Sequence, residues 1–160
     1  MIVINYNLKY ERLIMESTDY IIHTDGAYSR IRNIGAFAYI ICDGDDNEIK
    51  RNVWKICNET NNRAEVKAII VALYHLPENA RNVIVISDSQ YALCTCSGQW
   101  ARKANKDLFE IHDRIVKERQ LNVSYEWVKG HSGDYYNETC DMMCNEVIGN
   151  DVNTECITRK

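Results

Sequence analysis

The stretch Asp19-Tyr20-Ile21-Ile22-His23-Thr24-Asp25-Gly26-Ala27 decides how this chain is read. Three apolar residues, Tyr20 to Ile22, lead into an acid that is followed by a glycine. A short apolar run closed by glycine is the pattern of a buried strand that stops at the sheet rim. Asp25 is therefore expected at the strand's end and not fully buried, where its carboxylate stays charged and could hold a metal. Taken alone, Asp-Gly is a turn signal. Three later acids, Glu65, Asp88 and Asp141, favour the first reading.

Outward from this strand, residues 34–42 are apolar and aromatic, Gly44-Asp45-Asp46-Asn47 is a turn cluster, and 50–57 carries Val53, Trp54 and Ile56. Two strands about such a turn make a hairpin, and with the first strand a three-stranded antiparallel meander. Asn61-Asn62-Arg63-Ala64-Glu65 opens a helix running to about Leu76, with Val66, Ile69, Ile70 and Leu73 at helical spacing and Pro77 as its stop. Glu65 falls in its first turn, where Asn62-x-x-Glu65 also reads as a capping box. Residues 83–87 form a β-branched strand ending at Asp88, and Ser89 caps a short helix over 90–97. A basic loop over 98–106 holds Trp100, Arg102, Lys103 and Lys106. A helix over 107–119 shows Leu108, Ile111 and Ile115 on one stripe, and Val123, Tyr125 and Trp127 alternate as a strand. The loop Lys129-Gly130-His131-Ser132-Gly133-Asp134 leads to a last helix, 137–148, with Cys140, Met143, Cys144 and Val147 facing inward.

The order β-β-β-α-β-α-α-β-α predicts an α/β fold, a mixed sheet covered by helices. A right-handed crossover lays the Val83 strand parallel to the Tyr20 strand. If the two are neighbours, Asp25 and Asp88 emerge side by side at the carboxyl ends, where open α/β sheets place their sites.

At 160 residues the chain reads as one domain, with an extension over 1–18 and a polar tail over 149–160. A net charge of −4 argues against a generic basic surface for nucleic acid. It leaves room for a nucleic-acid enzyme, since divalent ions reverse the field of an acidic site. Seven cysteines, an odd number, with no signal peptide predict reduced thiols and a cytoplasmic protein. No apolar run nears the roughly 20 residues that span a bilayer.

Four carboxylates gathered at one rim repel one another unless cations join them. Hard oxygen ligands select Mg²⁺, with Mn²⁺ as a substitute. Two such ions about 4 Å apart activate a water and stabilise the leaving oxygen of a phosphodiester. Asp141 lies four residues after Asn137, so the two share a helix face.

Thr24-Asp25-Gly26-Ala27, Thr60-Asn61-Asn62-Arg63-Ala64-Glu65, Ser87-Asp88-Ser89-Gln90-Tyr91, Lys129-Gly130-His131-Ser132-Gly133 and Asn137-Glu138-Thr139-Cys140-Asp141 follow one another in this order. On these segments the chain resembles type 1 ribonuclease H from about Tyr20 to Ile148. The resemblance implies the ribonuclease H-like fold, with a five-stranded mixed sheet flanked by helices. It implies an endonuclease that cuts the RNA strand of an RNA/DNA hybrid, leaving 5′-phosphate and 3′-hydroxyl ends. By position, Asp25, Glu65, Asp88 and Asp141 would hold two Mg²⁺ ions, with Asp25 bridging them. His131 would assist proton transfer or product release, and Asn137 would support the same end of the site. Gly26, Thr60, Asn61, Asn62 and Gln90 match positions that touch the hybrid. No protein partner is implied, and a monomer is expected.

The chain departs from many members in lacking a long basic helix and loop; only the segment 100–106 fills that place. Hybrid binding with a shallow salt dependence is the expectation. A related metal-dependent nuclease of the same fold and a non-catalytic nucleic-acid-binding module are the alternatives. The first is disfavoured by Asn61, Asn62 and Gln90, the second by the retention of all four acids.

Overall fold

The architecture follows from where apolar residues alternate and where they run continuously, in a computed structural model that describes residues 17–150. Tyr20–Ser29 (β1), Ile34–Asp43 (β2) and Glu48–Cys57 (β3) form the antiparallel meander. Asn82–Ser87 (β4) lies parallel to β1, and Asn122–Trp127 (β5) parallel to β4, so the sheet runs β3-β2-β1-β4-β5. The helices are Asn61–Tyr74 (α1), Gln90–Cys96 (α2), Lys106–Glu118 (α3) and Tyr135–Gly149 (α4). The order of elements is the one read from the sequence. The predicted extension over 1–18 and the tail over 149–160 lie almost wholly outside the described residues.

β2 is apolar from Ile34 to Cys42 because both of its faces are covered. Tyr39 and Ile41 join Ile22, Val66, Ile69, Leu73, Leu93 and Phe109 in the core beneath the first three helices. Ala36, Ala38, Ile40 and Cys42 turn the other way, with Ile21, onto Cys140 and Cys144 of α4. The small side chains on this second face bring α4 close to β1. The thiol of Cys140 lies 3.5 Å from the His23 carbonyl and that of Cys144 3.8 Å from the Asp25 carbonyl.

β1 does not stop at Asp25, contrary to the sequence expectation. Its parallel partner β4 ends first, with Thr24 opposite Ser87 as the last pair. On the other side β2 continues to pair as far as Ser29 opposite Ile34. Gly26 is thus not a strand terminator. A Cβ there would stand 2.6 Å from the Glu65 backbone nitrogen and 2.7 Å from the Ala64 carbonyl carbon. Glycine is required because the first turns of α1 lie directly on the strand's backbone.

The start of α1 is held by ions. Arg63, buried inside it, donates from Nε to Glu59 at 2.7 Å and from both terminal nitrogens to Asp107 of α3 at 2.9 and 2.8 Å. Lys67 also donates to Glu59. Arg63→Ala is expected to destabilise the protein by about 3 kcal/mol, because Glu59 would stay buried with half its compensation gone. Urea unfolding measures this, and a loss below about 1 kcal/mol would place the network among weak surface pairs.

Five cysteines are buried free thiols. Cys57 departs from the all-reduced expectation and is disulfide-bonded. It is half-buried at the end of β3.

Candidate active site

Backbone pairing places the first two acids. Asp25 and Asp88 each follow the last residue of the β1–β4 ladder, Thr24 and Ser87, so they leave adjacent strands side by side. The turn after β4 is fixed by the Trp127 indole, which donates to the Asp88 carbonyl at 2.9 Å. It is also fixed by the Ser89 backbone N–H donating to the Ser87 hydroxyl at 3.1 Å.

Glu65 arrives from α1. The helix is capped by Thr60, whose hydroxyl accepts from the Arg63 N–H at 3.2 Å. The capping box expected from Asn62 is therefore absent, and Glu65 lies in the second turn, not the first. One turn in, on the side that meets Gly26, its side chain is buried and points to the rim. Carboxylate oxygens of Asp25, Glu65 and Asp88 all lie within 4.8 Å of one another.

Asp141, half-buried on α4, lies outside that set, yet its charge acts on both Asp25 and Asp88. α4 begins at Asp134, whose carboxylate accepts from the Asn137 N–H at 2.8 Å. Asn137 is buried, its Nδ2 makes no hydrogen bond of its own, and its amide lies near enough to Asp88 to favour the ionised carboxylate. His131, exposed and with φ of 55°, lies in the loop before α4, where its charge favours the ionised form of Asp88.

Burial pushes the Asp25 carboxyl up to about 9, reinforced by the charges of Glu65, Asp88 and Asp141 and opposed by a backbone hydrogen bond from Gly26. The expectation of an incompletely buried, permanently charged Asp25 is corrected accordingly: it is only 5% exposed. Continuing β1 past the acid is what encloses it. Burial also raises Glu65 to about 7, against the Ser89 hydroxyl that bonds to it. Asp88 is raised as well, by burial and by Asp141. Oε2 of Glu65 is buried without a hydrogen-bond partner. Three converging hard oxygens and a vacant buried lone pair fit a divalent cation of the Mg²⁺ type.

Of the residues matched to substrate contacts, Thr60, Asn61, Asn62 and Gln90 are all exposed near this rim. Gly26 is buried with α1 packed on it, so the contact expected of it rests on backbone groups alone. The basic loop is less available than its composition suggests. Arg102 is held by Asp113, by the Thr95 and Cys96 carbonyls at 2.9 and 3.0 Å, and over the Phe109 ring at 5.0 Å. Lys103 and Lys106 remain exposed. Sequence reading missed two supports. Ser89 was legible only as a helix cap, and Gly130 only as a loop glycine, although a Cβ on Gly130 would stand 2.7 Å from Asp88 Oδ2. Gly130→Ala is accordingly expected to lower activity about 100-fold by displacing that carboxylate, with little change in melting temperature. Parallel activity and thermal-unfolding measurements test it, and unaltered activity would mean the loop gives way instead.

Fold and site together define an α/β protein whose strand ends and helices gather carboxylates for divalent cations at one sheet rim. The RNase H family model matches residues 17–148. The chain is 31% identical over 147 residues to ribonuclease HI of Synechocystis sp., covering 82% of this chain and 89% of that protein. It is 32% identical over 146 residues to ribonuclease H of Clostridium botulinum, covering 80% and 94%. The crystal structure of LC11-RNase H1 in complex with an RNA/DNA hybrid superposes with a TM-score of 0.69 at 25% identity, covering 79% of this chain and 94% of that one. The chain belongs to the ribonuclease H family.

Proposed function

We propose that this protein is an endonuclease that hydrolyses the RNA strand of RNA/DNA hybrids, leaving 5′-phosphate and 3′-hydroxyl ends, and that it depends on two Mg²⁺ ions, with Mn²⁺ as a substitute. The observation that carries the reading is the convergence of Asp25, Glu65 and Asp88 from three elements, with the Glu65 Oε2 atom buried and unpartnered. The cations, when bound, supply activation of water and neutralisation of charge on the phosphodiester. Asp25, Glu65, Asp88 and Asp141 hold them, and Asn137 orients Asp88. His131, exposed at the mouth of the site, moves a proton or assists departure of the product.

Asn61, Asn62 and Gln90 are free of capping duty and exposed, which suits them to read sugars and base edges of the hybrid. The 2′-hydroxyl is the group that separates RNA from DNA. Thr60 would reach a phosphate of the DNA strand. With Arg102 engaged inside the protein, few cations remain for phosphates, and affinity should fall gently with salt. No helix among the described residues is long and apolar enough to cross a membrane. Five free thiols favour a reducing cytoplasm as the setting, against the single bonded cysteine, Cys57. The exposed large apolar side chains are spread over turns, β3, α1 and α4, which favours a monomer.

Cleavage of a strand-labelled hybrid with Mg²⁺, Mn²⁺ or EDTA, beside Asp88→Asn, tests the proposal. Metal-dependent cutting of the RNA strand alone, lost in the variant, is the expected result. An intact RNA strand under every condition, from folded protein, would defeat it.

A further inference from the structure

Beyond the acidic rim, one other group of metal-ligating side chains converges among the described residues. His23, Cys42 and Asp46 each offer one ligand atom, and these atoms lie within 4.8 Å of one another. His23 and Cys42 come from adjacent antiparallel strands and are buried, at 3% and 0% exposure. Asp46 reaches them from the β2–β3 turn, and its side chain is 44% exposed. That turn is closed by the Asp43 carboxylate, which accepts from the Asp45 and Asn47 N–H groups at 3.0 and 2.9 Å. Tyr136 of α4 covers the group. Its ring lies 4.6 Å from the His23 ring, its hydroxyl donates to the Asp46 carbonyl at 2.9 Å, and it also hydrogen-bonds with the Cys42 thiol.

The spacing leaves room for a coordination shell, although His23 and Asp46 are also close enough to hydrogen-bond directly. His23 Nε2 and Asp46 Oδ1 stand 3.3 Å apart. A charge-assisted hydrogen bond is shorter, about 2.7–2.9 Å. Two ligands each about 2.0–2.1 Å from a tetrahedral zinc ion stand about 3.3 Å apart. The donors are an imidazole, a thiol and a carboxylate, a set that disfavours Mg²⁺ and selects zinc-like ions. We infer that His23, Cys42 and Asp46 form a second, thiolate-containing site for a Zn²⁺-type divalent ion, separate in chemistry from the all-oxygen rim. On binding, Cys42 gives up its proton to solvent and bonds to the ion as thiolate, and water takes the fourth position on the open Asp46 side. Such an ion would tie β1 to the β2–β3 turn two residues before Asp25. The inference does not depend on the nuclease reading.

The test is a Co²⁺ titration of the full chain, reduced, freed of metal and supplied with excess Mg²⁺ to occupy oxygen sites. One equivalent should produce a thiolate-to-cobalt charge-transfer band in the near ultraviolet. The band should be lost in Cys42→Ser and in Asp46→Asn, and kept in Cys156→Ser and Asp88→Asn. Zn²⁺ should raise the melting temperature of the parent but not of Asp46→Asn, whose side chain lies on a solvated turn. Absence of the band, or a band that survives Cys42→Ser or Asp46→Asn, would reduce the group to a His–Asp contact beside a buried thiol.

Discussion

Asp25→Asn is expected to lower hybrid cleavage at least about a thousandfold while raising the melting temperature of the metal-free protein. The two effects share a cause. Asp25 is buried against Glu65 and Asp88 and within the field of Asp141. Without cations, a carboxylate there is a burden on the fold; with cations, it is the group at the centre of the acidic set. An amide of the same shape removes the charge and its repulsion but is a far weaker ligand. Losing several kcal/mol of charge stabilisation in the transition state corresponds to about three powers of ten in rate. Single-turnover cleavage with Mg²⁺, paired with thermal unfolding in EDTA, separates the two effects. A variant that cleaves within about tenfold of the parent would remove Asp25 from the metal-holding set. A variant that melts below the parent would mean that the carboxylate is structural.

The second large effect is a fall in metal-free stability as pH rises. The folded Asp25 carboxyl is held up to about 9 against 3.8 ordinarily, and Glu65 up to about 7 against 4.5. Between those values the folded protein keeps protons that the unfolded chain has released. The stability these groups contribute is therefore complete at acid pH, below the unfolded values. Glu65's share is lost as pH rises through about 7, and Asp25's as it rises through about 9. Each retained proton gives a slope of at most about 1.4 kcal/mol per pH unit. Carboxylates such as Asp43, Glu48 and Asp113 are held low by their partners and contribute the opposite slope, so the useful quantity is a difference. Urea unfolding in EDTA across this range should show the parent losing stability relative to Asp25→Asn as pH rises. Divalent cations should cancel the loss, since ion binding takes the place of protons. Parallel profiles for the two proteins would show that water enters the rim and keeps its acids ionised.

Much of this was legible in the sequence because it rests on local patterns. The apolar run Tyr20–Ile22, the alternation in Val123–Trp127 and the stripe in α4 each mark one element, and their order fixes the sheet. The positions of Asp25 and Asp88 followed from strand order alone. What escaped reading depends on contacts between distant segments. The strand continues past Gly26 because β2 outlasts β4, which no local signal announces. Thr60 displaced Asn62 as the cap because α1 begins two residues earlier than the box requires. Arg102 read only as one cation of a basic loop, whereas Asp113 and Phe109, on the next helix, hold it. Gly130 gains its meaning only from Asp88, forty-two positions earlier.

The four acids do not share one kind of support. Asp25 and Asp88 each follow the last rung of a parallel ladder, so their separation is gauged by the interstrand repeat itself, about 4.8 Å. That repeat is a property of backbone hydrogen bonding and is indifferent to which side chains fill the core. Asp141 has no such ruler. Its place depends on how deeply α4 seats through Cys140 and Cys144 upon the carbonyls of His23 and Asp25. Enlarging either thiol would therefore lift one corner of the acidic set and leave the other in register, detuning the site without dismantling the sheet.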